Sequence, residues 1–251
     1  MANFYISDLH IGCMNKYEGR TLETDQILKE NWNKVVTNAD TVYILGDIGR
    51  VGTNKDNEYL ASYLAVLKGK KVLVKGNHDR LDDIRIKQQF TEICDYKEII
   101  DSFEGKTYKL VLSHYPILMW NGQHKGYIHL YGHIHISEYS CFLTALDKLN
   151  ECFSYQTKLG RTDCPQVKAY NVGAMLPYIN YCPRTLKEIM DTDRIVFAII
   201  ASAFIRIRAY RESDEMFMGD TVFDTYEEAE VRLRKMEEEN IDWEEEGENI
   251  V

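Results

Sequence analysis

The chain has 251 residues, of which 45% are hydrophobic and 28% are charged, and its formal net charge is −10. That length suits one large domain, alone or with a small appendage. The acidic balance argues against a broad contact surface for nucleic acid or an anionic membrane, but it allows a small phosphate substrate, because bound metal ions reverse the local charge.

The sequence also lacks the features of an exported or membrane protein. Its beginning has no basic stretch followed by an apolar one, so it does not resemble a signal peptide. The longest apolar run, residues 195–205, is shorter than the ~20 residues that a membrane span requires. The six cysteines include no C-x-x-C pair, which favours reduced thiols. We therefore expect a cytoplasmic protein without a membrane segment.

The first third of the chain predicts alternating strands and helices. Apolar runs at 4–7, 42–45 and 71–74 are typical of strands, and helical periodicity covers 21–37 and 57–67. Polar residues follow the three strands in turn: Asp8 and His10, then Asp47, then Asn77, His78 and Asp79. This alternation predicts a largely parallel sheet, and ligands bind at the carboxyl ends of such strands.

After a predicted short helix at 84–90, the pattern changes. Residues 96–100 and 107–112 flank a turn and predict a hairpin, and residues 127–131 predict a further strand. Histidines follow the second and third of these strands: His114, then His133 and His135. A strand is predicted at 167–172 and a helix at 183–189. Histidines thus gather at strand ends here, as carboxylates do in the first third.

These patterns divide the chain into a main domain, residues 1–193, and a C-terminal appendage, residues 194–251. Within the main domain, residues 137–165 predict an irregular insertion with a short helix at 142–149. The appendage is interpreted as a small ββα unit with an acidic tail. A protein partner, or a second copy of the chain, is expected to bind through it.

The polar clusters supply ligands suited to transition metals. Carboxylate, amide and imidazole donors without thiolate favour Mn, Fe, Zn or Ni over Ca or a structural Zn site. Seven such side chains are more than one ion can use while leaving room for substrate, so two ions are expected. Two ions ~3.5–4 Å apart can hold a phosphoryl oxygen and activate a bridging water.

Five motifs resemble, in order and spacing, those of the calcineurin-like metallophosphoesterases, over roughly residues 3–175. They are Asp8-x-His10, Gly46-Asp47, Gly76-Asn77-His78-Asp79, His114 and Gly132-His133-x-His135. The resemblance implies an α/β fold of the four-layer α+β type, a sandwich of two mixed sheets flanked by helices.

The resemblance also implies a role for each motif residue. One ion would be held by Asp8, His10 and His135, the other by Asn77, His114 and His133, and both by Asp47. His78 would protonate the leaving oxygen, or would only bind phosphate. Asp79 would orient His78; the alternative interpretation is a helix N-cap before residues 80–84.

Four other side chains are candidates for contact with substrate. Arg50 and His124 are candidates for phosphate binding, with a plain surface residue as the alternative for each. Tyr115 and Trp120 are candidates for an aromatic wall against a base or aryl group, with core packing as the alternative. His129 is expected in the core or behind the metal ligands.

Departures from the family pattern narrow the expected substrate. The sequence Ile48-Gly49-Arg50 and the motif ending in Asp79 argue against a protein phosphatase, while Trp120-Asn121-Gly122 resembles compact bacterial and phage phosphoesterases. We expect a metal-dependent phosphohydrolase acting on a phosphodiester or a small nucleotide-type ester. The alternatives are a phosphomonoesterase or pyrophosphohydrolase acting on a nucleotide or lipid intermediate, and a non-catalytic interaction module on the same fold.

Overall fold

A computed structural model of the chain describes residues 1–14, 20–135, 139–158 and 166–191, with side chains described for 142–152 of the third segment. The chain divides into two units, Met1–Lys187 and Glu188–Val251. The first unit contains both sheets. The predicted ββα appendage, residues 194–251, lies outside the described residues.

The first sheet is parallel and follows the predicted alternation with helices. Its strands, in spatial order, are β1 (Asn3–Ile6), β2 (Thr41–Ile44), β3 (Lys70–Val74) and β4 (Glu92–Cys94). The intervening helices are α1 (Leu22–Val35), α2 (Asn54–Val66) and the short α3 (Ile84–Lys87). Val42, Ile44 and Leu73 are fully buried, as expected in a parallel sheet covered on both faces.

The start of α1 was predictable from a capping residue. The side chain of Thr21 accepts a hydrogen bond from the backbone N–H of Glu23, and Thr24 completes a reciprocal capping pair. The helix buries Trp32 completely, and the indole N–H donates to the carbonyl of Lys68 at 2.9 Å. Local capping and one large buried side chain therefore hold α1 in place.

The second sheet combines the predicted hairpin with two parallel strands. Its strands, in spatial order, are β5 (Lys97–Phe103), β6 (Lys106–Leu112), β7 (Ile128–Tyr131) and β8 (Ala169–Asn171). β5 and β6 are antiparallel, while β6, β7 and β8 run parallel. Two four-stranded sheets with flanking helices confirm the predicted α/β sandwich.

One helix is longer than the sequence predicted. Helix α4 spans Tyr139–Lys158, so the segment at 137–165 is mostly helical rather than irregular. Leu146 of this helix packs with Val111, Trp120 and Val167 in a buried cluster. Beyond the predicted end at residue 149, the side chain of Asn150 accepts from the backbone N–H of Val167 at 2.7 Å. This contact holds Asn150, one position beyond the predicted end of the helix, against the segment that precedes β8.

The two sheets meet along β1 and the end of β8. The backbone N–H of Ser7 donates to the carbonyl of Val172 at 2.8 Å, and Tyr5 and Arg184 exchange backbone hydrogen bonds. This junction brings the carboxyl ends of β1 and β7 together. Within the described residues, no helix has the length and hydropathy needed to span a bilayer.

Candidate metal centre

Four candidate ligands adopt a backbone conformation that non-glycine residues usually avoid. The φ angles of Asp8, His10, Asp47 and His133 are +54°, +44°, +55° and +69°. Each residue lies just after a strand, where a left-handed turn redirects the chain. Such conformations cost ~1–3 kcal/mol each and concentrate at functional sites. The fold thus accepts local strain where these side chains converge.

Two motif glycines allow the strand ends to approach each other closely. A Cβ atom on Gly76 would lie 2.3 Å from Oδ1 of Asp47, and one on Gly132 would lie 2.5 Å from Oδ2 of Asp8. Any larger residue at either position would displace a carboxylate. Gly76 therefore leaves room for the carboxylate of Asp47, and Gly132 leaves room for that of Asp8.

The first ligand cluster consists of Asp8, His10 and His135. Nε2 of His135 lies 3.8 Å from Oδ1 of Asp8, and Nε2 of His10 lies 4.0 Å from the same oxygen. Burial favours the neutral form of Asp8, but the nearby His135 ring and a hydrogen bond from the Ser7 hydroxyl outweigh it and lower the pKa of Asp8. An ionised carboxylate and two imidazoles thus converge on one point.

The second cluster is built around His114. Its Nε2 lies 3.6 Å from Oδ2 of Asp47 and 2.9 Å from Oδ1 of Asn77. Nδ1 lies 2.7 Å from the carbonyl of Leu45, and in the neutral ring that nitrogen carries the proton and donates it. The Nε2 lone pair then faces two oxygen acceptors, an arrangement that a cation would satisfy.

Asp47 connects the two clusters. Its Oδ2 lies 3.7 Å from Nε2 of His10 and 3.6 Å from Nε2 of His114. The ligand atoms of Asp8, Asp47 and His114 also lie within 4.8 Å of one another. One carboxylate oxygen therefore faces an imidazole from each cluster, a position from which it could bridge two ions.

The donor set fits divalent cations. Nε2 of His10 is buried and has no hydrogen-bond partner among the described residues, although two carboxylates lie near it. Burial, followed by the charge of Arg20, lowers the pKa of His10 to about 3, so the ring is neutral and its lone pair is available. Asp8 and Asp47 are each only 2% exposed. Bound ions would supply positive charge next to these two buried carboxylates.

His133 lies between the two sheets. Its backbone N–H lies 3.2 and 3.1 Å from the two carboxylate oxygens of Asp8, to which it donates. Its ring centroid is 5.1 Å from that of His114. The structure thus brings all seven predicted ligands to one region, with His133 and Asn77 beside His114, and His135 beside His10.

His78 lies at the exposed side of the site. Its ring centroid is 5.9 Å from that of His10, and its backbone N–H donates to Oδ1 of Asp47 at 2.9 Å. The side chain is open to solvent. It therefore borders the ligand clusters while remaining accessible to a substrate.

The carboxylate of Asp79 has partners that the sequence did not predict. It accepts hydrogen bonds from the backbone N–H groups of Asp47, Ile48 and Gly76, at 2.9, 2.8 and 2.8 Å. The alternative interpretation of Asp79 as a helix N-cap is wrong, because α3 begins at Ile84 and its N-cap is Asp83. Asp79 instead joins the loops that carry Asp47 and His78.

The two tentative phosphate contacts lie on the surface. The guanidinium Nε of Arg50 is 3.4 Å from Oδ1 of Asp56, and its side chain is 59% exposed. His124 is exposed in the 3₁₀ turn Gln123–Lys125. The contacts found among the described residues bring neither side chain to the ligand clusters.

His129, by contrast, is a core residue. Its Nδ1 donates to the carbonyl of Val111 at 3.0 Å, and its Nε2 accepts from the N–H of Ile117 at 3.1 Å. Burial lowers the pKa of His129 to about 4. A neutral histidine whose two nitrogens both bond to backbone is not a metal ligand.

Several known proteins and one family model are similar to this chain in sequence. A family model described as calcineurin-like phosphoesterase matches residues 4–158. The chain is 31% identical over 159 residues to the Gene 66 protein of Mycobacterium phage D29, covering 54% of this chain and 79% of that protein. It is also 31% identical over 138 residues to an uncharacterized protein of Methanocaldococcus jannaschii, covering 53% and 68%.

A solved structure extends the similarity to three dimensions. The crystal structure of a protein of unknown function from Aquifex aeolicus matches with a TM-score of 0.51 and 26% sequence identity. The match covers 75% of this chain and 97% of that one. The solved protein therefore shares the fold described above over nearly the whole of its own length.

Proposed function

Because this chain belongs to the calcineurin-like phosphoesterase family, we propose that it is a dimetal-dependent phosphohydrolase that cleaves a phosphodiester or a small nucleotide-type ester. The observation that carries the proposal is the position of Asp47, whose Oδ2 faces His10 and His114 at nearly equal distances. A carboxylate oxygen between two sets of donors is placed to be shared by two ions, and a pair of ions is a common device of phosphoester hydrolysis.

Each ion has its own set of proposed ligands within this centre. One set is Asp8, His10 and His135; the other is Asn77, His114 and His133; Asp47 belongs to both. Mn, Fe, Zn and Ni all suit these oxygen and nitrogen donors. Two bound ions would polarise a phosphoryl oxygen and lower the pKa of a nearby water.

His78 is the proposed general acid. Its exposed ring borders the centre, and its backbone bond to Asp47 couples its position to the bridging carboxylate. From there it would give a proton to the leaving oxygen as the phosphoester bond breaks. General acid catalysis typically contributes ~10²–10⁴-fold to a rate.

The test is hydrolysis by protein stripped with EDTA and reloaded with Mn. Bis-p-nitrophenyl phosphate is the diester substrate, and p-nitrophenyl phosphate is the monoester. We expect diester turnover that needs metal and falls at least ~100-fold in His78→Ala, with the bound metal unchanged. Arg80→Ala, an exposed change in the same loop, is the matched control and should retain turnover.

The other outcomes separate the remaining hypotheses. Turnover of the monoester alone would replace the proposal with a phosphomonoesterase. An equal loss of turnover in Arg80→Ala would mean that both variants disturb the loop, and His78 would then not be assigned the role of general acid. Absence of both metal binding and turnover would contradict an enzymatic function and favour an interaction module.

A further inference from the structure

The loop after His114 exposes apolar side chains beside the candidate metal centre. Within residues 115–119, the side chains of Tyr115, Leu118 and Met119 are 47%, 41% and 70% exposed. Isolated exposed apolar residues are common on protein surfaces, whereas several in one short loop make that loop a candidate for binding a ligand. The loop lies between β6 and β7 and begins directly after His114, which is a proposed metal ligand.

Buried polar side chains hold this loop from beneath. His129, which is fully buried, accepts a hydrogen bond from the backbone N–H of Ile117, and Gln123, which is 4% exposed, donates to the carbonyl of Leu118 at 2.8 Å. Each bond fixes the backbone of the loop, so the apolar side chains are presented outward rather than left free to collapse. Such preorganisation lowers the entropy cost of binding a ligand.

Tyr115 connects the loop to the metal centre. Its ring centroid lies 4.7 Å from that of His133 and 5.1 Å from that of His114, both edge-on. Trp120, the other aromatic candidate, is 7% exposed and its indole N–H donates to the carbonyl of Tyr127. Trp120 therefore packs in the core, whereas Tyr115 is accessible to a molecule bound at the centre.

We propose that Tyr115, in the loop that also exposes Leu118 and Met119, binds a planar aromatic group, either a nucleobase or an aryl ring, of the phosphoester substrate. This inference rests on the proposed function, since the phosphoryl group would occupy the neighbouring metal centre. Tyrosine rings stack on planar groups, and methionine adapts to them through its flexible thioether. The loop would thus select the organic part of the substrate.

The experiment measures binding rather than turnover. Metal-loaded protein is titrated calorimetrically with methyl phosphate, phenyl phosphate and adenosine 5′-monophosphate. We expect at least one aromatic phosphate to bind ~10-fold or more tightly than methyl phosphate, within the range of stacking on an aromatic side chain. Tyr115→Ala should abolish that preference without changing the affinity for methyl phosphate, and Tyr115→Phe should restore it.

Control variants separate recognition from support of the fold. Ile84→Ala removes a 62% exposed apolar side chain on helix α3 and should leave the preference intact. Tyr115→Leu keeps an apolar side chain without a ring, so it should lose the preference even if Tyr115→Ala proves unstable. Tighter binding of adenosine 5′-monophosphate than of phenyl phosphate would identify the group as a nucleobase.

Three results would overturn the inference: no preference in the wild type, an unchanged preference in Tyr115→Ala and Tyr115→Leu, or an equal loss of methyl phosphate binding in those variants. The last result would mean that Tyr115 only supports His114 and His133. Failure of the proposed function would look different. Turnover would be absent, but the protein would still bind the aromatic phosphate more tightly than methyl phosphate.

Discussion

At the scale of single residues, Asp79 has the most informative contacts. The sequence predicted a carboxylate that orients His78, whereas the three hydrogen bonds found in the structure come from backbone N–H groups of two loops. Burial raises the pKa of Asp79, and those hydrogen bonds oppose the rise. We infer that Asp79 is a positioning residue that keeps Asp47 and the His78 loop at a fixed separation.

Replacement of this carboxylate should weaken metal binding as well as catalysis. Asp79→Asn keeps the shape of the side chain but exchanges one acceptor oxygen for an NH₂ group, which would face backbone donors. We expect metal affinity to fall ~10–100-fold, the usual effect of losing a group that orients ligands. Competition titration with a chromogenic chelator measures this, beside Asp82→Asn, an exposed carboxylate in the same segment.

The opposite result has a clear meaning. Unchanged metal affinity in Asp79→Asn, together with a large loss of turnover, would show that Asp79 acts on His78 as the family resemblance implies. In that case the contacts to the two loops would be secondary.

At the scale of elements, the turns after strands use glycine for two different reasons. Gly76, after β3, allows the close approach of Asp47. Gly105, between β5 and β6, has a φ of +75° and open space where a Cβ would lie; with Glu104 at +50° it forms the left-handed hairpin turn. Gly76 is therefore needed for close packing against Asp47, whereas Gly105 is needed for the positive φ angle of the turn.

These two glycines should respond differently to the same substitution. Gly105→Ala should cost ~1 kcal/mol of unfolding free energy, because alanine is strained at positive φ, and should leave metal affinity unchanged. Gly76→Ala should greatly weaken metal binding, because the new methyl group would displace Asp47. Urea unfolding and metal titration of both variants measure these effects. Equal metal affinity in the two variants would refute the packing role assigned to Gly76.

At the scale of the whole molecule, the candidate metal centre lies where the two sheets join. Asp8 follows β1, and its carboxylate accepts a hydrogen bond from the backbone of His133, beyond β7 of the other sheet. Asp47 follows β2 and is equally buried. Two carboxylates of like charge therefore lie at the junction, and a bound cation would stabilise the assembly of both sheets.

Metal removal should accordingly lower the thermal stability of the unit Met1–Lys187, which contains both sheets. Ligand at ~100 times its dissociation constant stabilises a protein by ~2.7 kcal/mol, which for a unit of this size is ~5–10 °C. Differential scanning calorimetry should show this increase when Mn is added to stripped protein. Ca should raise the melting temperature less, because imidazole donors disfavour it, and Asp47→Asn should lose most of the Mn effect. An equal increase with Ca, or in Asp47→Asn, would contradict a specific site.

The sequence by itself determined the order of elements and the positions of the polar motifs. The apolar runs before Asp8, Asp47 and Asn77 are strands, and the helix predicted after Thr21 begins there. These features are predictable because periodicity and capping depend on residues only a few positions apart. The alternation of strand and helix then limits the arrangement of the sheet, so the motifs were expected to share one edge.

Only the tertiary structure decided which side chains act together. The partners of Asp79 lie 31 and 32 residues earlier in the chain for two of its three bonds, and Asn150 of α4 bonds to the backbone of Val167. Likewise, sequence pattern could not distinguish Tyr115 from Trp120 as the exposed ring. Exposure and hydrogen-bond partners are set by which distant surfaces meet in space, and local periodicity carries no information about that.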